Sequence, residues 1–78
     1  MITEEQAKAV AEAIERAQAA GVTVTERLVR SVWVRHTPEN HQEAVRLEAK
    51  LMAASFVQVR SNSSRFGDYT DIEWQSWW

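Results

Sequence analysis

The stretch Val22-Thr23-Val24-Thr25-Glu26-Arg27-Leu28-Val29-Arg30-Ser31-Val32-Trp33-Val34 decides the fold. Val22 to Val24 is a short β-branched run that favours an extended start. Thr23 with Glu26 three residues on, or Thr25 alone, can then cap a helix running through Leu28, Val29, Val32 and Trp33. The competing reading is a strand, because Leu28 to Val34 is rich in β-branched and aromatic side chains. The helical reading is taken forward here as the second helix of the chain.

On the amino-terminal side, Thr3 followed by Gln6 matches a capping box, and Ala7, Val10, Ile14 and Ala17 recur at helical intervals. A first helix is predicted from near Glu4 to Gly21, which suits the left-handed position past a helix end. On the carboxyl-terminal side, Thr37-Pro38 opens a third helix to about Ala54, with threonine as cap and proline pre-set for the first turn. Ala44, Val45, Leu47, Leu51, Met52 and Ala54 fall on its apolar arc, opposite Glu39, Gln42, Glu43, Arg46 and Lys50. From Phe56 the period changes to two, Ser61 to Gly67 reads as a flexible loop, and Tyr69 to Trp74 alternates again. The expected fold is therefore α+β, three helices followed by a two-stranded β-hairpin. Its core is expected to comprise Val10, Ile14, Leu28, Val32, Leu47, Leu51, Val57 and Ile72, with Leu47 and Leu51 central and Trp33 and Trp74 added to it.

A chain of 78 residues forms one domain, because a second core would have nothing left to bury. With 45% apolar and 26% charged residues, two glycines and one proline, it has the composition of a globular domain. It contains no cysteine, which excludes a disulfide scaffold and a thiolate zinc site. No segment approaches the roughly 18 consecutive apolar residues of a membrane span, so a cytoplasmic protein is expected. The net charge of −2 argues against simple nucleic-acid binding, although Gly21 to His36 sums to +2 and leaves room for a local basic patch.

Val22-Thr23-Val24 as a small first strand, Thr37-Pro38 opening a helix, Leu47 to Phe56 leading into a hairpin and Ser61 to Gly67 as its tip occur in the order found in winged helix-turn-helix domains. Arg46-Leu47, Leu51 and Phe56-Val57 look like winged domains attached to phage and plasmid replication proteins. The resemblance covers residues 3–78 and implies that the third helix enters a major groove while the wing touches a backbone. It would place Asn40, Gln42, Arg46 and Lys50 on the helix, and Arg60, Ser63 and Arg65 on the wing, at nucleic acid. The sequence departs from the pattern at Ser55, where glycine is common, and in Glu39 and Glu43, which offset the charge of Arg46 and Lys50.

His36 and His41 stand near Glu39 and Glu43, but a spacing of five across a helix start does not set two imidazoles on one helical face, so no metal site is expected. Asp68, Asp71 and Glu73 lack a nucleophile and base at a recognisable spacing, so no enzyme and no cofactor are expected. Of the four tryptophans, Trp77 and Trp78 are candidates for a protein-binding or homodimer anchor. Two functions follow as expectations. The first is a small phage- or plasmid-type protein that binds and modulates a host protein complex. The second is a winged-helix regulator of duplex DNA. Neither involves a membrane or a small-molecule substrate.

Overall fold

The computed structural model describes residues 2–28 and 31–76, except for the side chains of Arg27 and Leu28. Its order is α1 (Glu4–Ala19), β1 (Thr23–Leu28), β2 (Ser31–His36), a 3-10 turn (Pro38–Asn40), α2 (His41–Ala53), β3 (Phe56–Ser63) and β4 (Thr70–Ser76). The four strands form one antiparallel sheet in the order β1-β2-β4-β3. The expected three helices and two-stranded hairpin are thus replaced by two helices and a four-stranded sheet. The element order on which the winged-helix comparison rested is not the one observed.

The difference lies in the stretch from Val22. No second helix forms there. Thr23 pairs with Arg35 and Glu26 with Val32, so the stretch folds back as a hairpin. Period two prevails: Val32, Val34 and His36 are buried while Arg35 is exposed and Trp33 half-buried. Threonine and valine lose side-chain freedom in a helix, and here the sheet also supplies β4 as a second partner for β2.

The helical ends follow their caps. Thr3 and Gln6 form the capping box, each backbone N–H donating to the other's side-chain oxygen at 3.0 and 3.1 Å. Gly21 has φ +92°, and a Cβ there would stand 3.3 Å from the Asn40 side-chain nitrogen. Gln6 Nε2 donates to the Ala53 carbonyl at 3.2 Å. With α1's start beside α2's end, and α1's end beside α2's start, the helices run antiparallel over one face of the sheet. Ser55 turns the chain from α2 into β3 with φ 66°, a left-handed conformation that costs a non-glycine residue about 1 to 2 kcal/mol.

The core joins Val10 and Ala17 of α1, Ala44, Leu47 and Leu51 of α2, and Val32, Val34, Phe56 and Trp74 of the sheet. Leu47 and Leu51 are central, as their helical spacing predicts. Val10 and Val32 are also buried, and Ile14 and Ile72 pack partly buried against the cluster. The expected core is corrected at Val57, which is exposed on the edge strand β3. Val45 and Met52 likewise leave the predicted apolar arc for solvent, because the sheet covers a narrower stripe of α2 than the wheel allows. Trp33 points to the sheet face opposite the helices, since its neighbours Val32 and Val34 point inward. The side chain of Leu28 lies outside the described residues.

Candidate functional site

The hairpin tip between β3 and β4 is shorter and firmer than a flexible loop. β3 continues through Ser61 and Asn62 to Ser63, leaving residues 64–69 as the turn. Ser64 organises it. Its N–H donates to the Tyr69 carbonyl at 2.9 Å, its carbonyl accepts from Gly67 at 3.1 Å, and its hydroxyl accepts from the Asp68 N–H at 2.9 Å while donating to the Asp68 carboxylate. That hydroxyl contact, followed by the local backbone, holds the Asp68 carboxyl below the usual carboxylate range. Gly67 takes φ +75° with open space around it. The turn presents Phe66 with 88% of its surface exposed, beside the exposed Arg65.

Behind the tip lies a cleft lined by His36, Thr37, Pro38, His41, Gly67 and Thr70, with a volume of about 310 Å³. The Asn40 carboxamide accepts from the Thr37 N–H at 2.8 Å, which folds the chain sharply between β2 and α2. This fold-back brings the His36 and His41 rings to 5.1 Å between centroids, tilted by 51°. Sequence spacing did not anticipate the pair, because the two imidazoles come from a strand end and a helix start rather than from one helix. Deeper in, Glu48 is buried at 9% exposure and accepts from Trp74 Nε1 at 3.1 Å. Burial pushes its carboxyl up, opposed by the Trp74 hydrogen bond and by His36 and His41. Among the described residues no group of three or more His, Cys, Asp or Glu could enclose a metal ion.

Among the described residues, the open sheet face carries two pairs of opposite charge. Arg35 grips Asp71 through two hydrogen bonds of 2.7 and 2.8 Å and lies 4.2 Å over the Tyr69 ring. The Arg35 contact holds the Asp71 carboxyl below its ordinary range. Arg60 approaches Glu73 at 3.9 Å, and Thr23, Thr25 and Trp33 share a shallow depression with the first pair.

The residues expected at DNA are dispersed. Arg46 and Lys50 line a groove between α1 and α2, where Arg46 pairs with Glu43 at 3.1 Å. Gln42 is exposed on the first turn of α2. Asn40 accepts from the Thr37 N–H, with its amide nitrogen near Gly21. Arg60 belongs to the sheet face, Ser63 ends β3 opposite Thr70, and Arg65 stands at the tip. Trp77 and Trp78, the expected protein anchor, lie outside the described residues. The aromatic at the tip, Phe66, was not singled out in sequence, although a lone phenylalanine between Arg65 and Gly67 in a polar turn is a usable signal.

The fold and its tip define a two-layer α+β domain with a presented aromatic. The chain matches no family model, no curated protein and no solved structure. Among the described residues no helix is long and apolar enough to cross a membrane.

Proposed function

We propose that this chain is a non-catalytic binding module that docks on a protein through the β3–β4 tip, with Phe66 as its anchor and Arg65 at the rim. One observation carries the reading: a phenylalanine with 88% exposure stands on a turn already fixed by hydrogen bonds. Burying such a ring in a partner's pocket contributes on the order of 2 to 3 kcal/mol, and a preformed turn loses little further entropy on binding. Aromatic and arginine side chains together are the usual composition of a binding hot spot.

A duplex-DNA reading draws less support. Its cations sit in the helix groove, on the sheet face and at the tip, and Arg46 and Arg60 are each held near an acid. Phosphate binding needs cations gathered along one surface.

The test is a photo-reactive phenylalanine analogue at position 66, irradiated in cells expressing the chain. A discrete protein adduct, competed away by excess wild-type chain and not by Phe66→Ala, is expected. Adducts that nuclease digestion removes, or none, overturn the proposal.

A further inference from the structure

We infer that His36 and His41 form a two-imidazole chelate for a divalent transition-metal ion in the cleft behind the hairpin tip. Three observations converge. The first is spacing: two imidazoles bound to one tetrahedral ion at about 2.0 to 2.1 Å per nitrogen set their ring centroids about 5 Å apart. The observed separation is 5.1 Å. The second is the tautomer. His36 Nδ1 lies 3.3 Å from the Thr37 carbonyl oxygen, which can only accept, so the proton of this hydrogen bond sits on Nδ1 and the lone pair on Nε2. A backbone carbonyl holding the distal N–H is the arrangement that orients metal-binding histidines. The third is access. Both rings line the same cleft of about 310 Å³, so an ion can reach the pair from solvent.

Imidazole nitrogen selects zinc, copper or nickel over magnesium and calcium, which prefer oxygen. With two protein ligands the ion keeps open positions for water or for a side chain of a docked protein. The site therefore stands whether or not the tip is a docking anchor.

Zn²⁺ is the probe, titrated into the full chain by calorimetry at neutral pH, with Mg²⁺ as control. A chelate takes up one ion per chain, and His36→Gln and His41→Gln each weaken it by about tenfold or more, since either removes half of the protein's ligands. Because His36 is buried and His41 exposed, His41→Gln carries the test if the other variant fails to fold. Uptake of two ions per wild-type chain, with each single variant retaining one at unchanged affinity, shows independent imidazoles and overturns the inference. So does the lack of saturable Zn²⁺ binding to the wild type.

Discussion

Leu51 and Met52 are adjacent, similar in size and both on the apolar arc of α2, yet the fold treats them oppositely. Leu51 is 0% exposed beneath the sheet, whereas Met52 is 58% exposed. Leu51→Ala removes a fully enclosed side chain and leaves a cavity that the backbone can only partly close, a loss of about 2.7 to 5 kcal/mol. At about 0.05 to 0.15 kcal/mol per residue, a chain of this length has on the order of 4 to 12 kcal/mol in total. That one truncation therefore removes roughly a quarter of the stability at the least. With a urea slope of about 1 kcal/mol/M for so small a domain, the midpoint should fall by roughly 3 M or the variant should be unfolded in buffer. Met52→Ala loses contacts on one side only and should cost below about 1 kcal/mol. Equal losses in parallel urea titrations, or a larger loss for Met52, would refute the placement of α2 on the sheet.

Ser55→Gly should stabilise the chain by about 0.5 to 1 kcal/mol in the same titration, because relief of the left-handed strain exceeds glycine's added chain entropy. No gain would mean that the turn at φ 66° is not the native one. Glu48→Gln should raise stability at neutral pH by about 1 kcal/mol, the cost of an incompletely compensated buried carboxylate. The sign follows from burial raising the folded carboxyl above its unfolded value: its contribution is complete below the unfolded range and is lost as pH rises through the folded one. The gain from glutamine should therefore shrink toward pH 4, and a gain that grows on acidification contradicts the assignment. Asp71 behaves oppositely, since Arg35 lowers its folded pKa, and its contribution is lost as pH falls through that lowered value. Asp71→Asn should accordingly flatten the acid limb of the stability profile.

Much of this architecture is readable where a local signal is unambiguous. The capping box of Thr3 and Gln6 and Gly21 as a left-handed stop depend on nearby backbone alone and appear as their chemistry requires, whereas Thr37-Pro38 opens a 3-10 turn and the α-helix starts only at His41. Val22 to Val34 was misread because its local propensities are divided. The deciding partner is β4, whose Ile72 and Trp74 lie opposite Val34 and Val32 about forty positions along the chain. Such non-local pairing has no signature in a short window. The same cause hid the imidazole pair, since a spacing rule for one helix says nothing of a turn that folds a strand end onto a helix start. The nucleic-acid candidates dispersed once the helix that was to carry some of them became one of two antiparallel helices above a sheet.

The most direct test of the docking account is the affinity of the protein captured at position 66 for the wild-type chain and for Phe66→Ala, measured at two salt concentrations. Loss of a hot-spot ring of about 2 to 3 kcal/mol corresponds to roughly 30- to 150-fold weaker binding. That loss should be nearly independent of salt, with an unchanged urea midpoint because the exposed ring contributes little to folding. Unchanged affinity for Phe66→Ala, together with a steeply salt-dependent loss for Arg46→Ala or Lys50→Ala, would contradict it and move the interface to the helices.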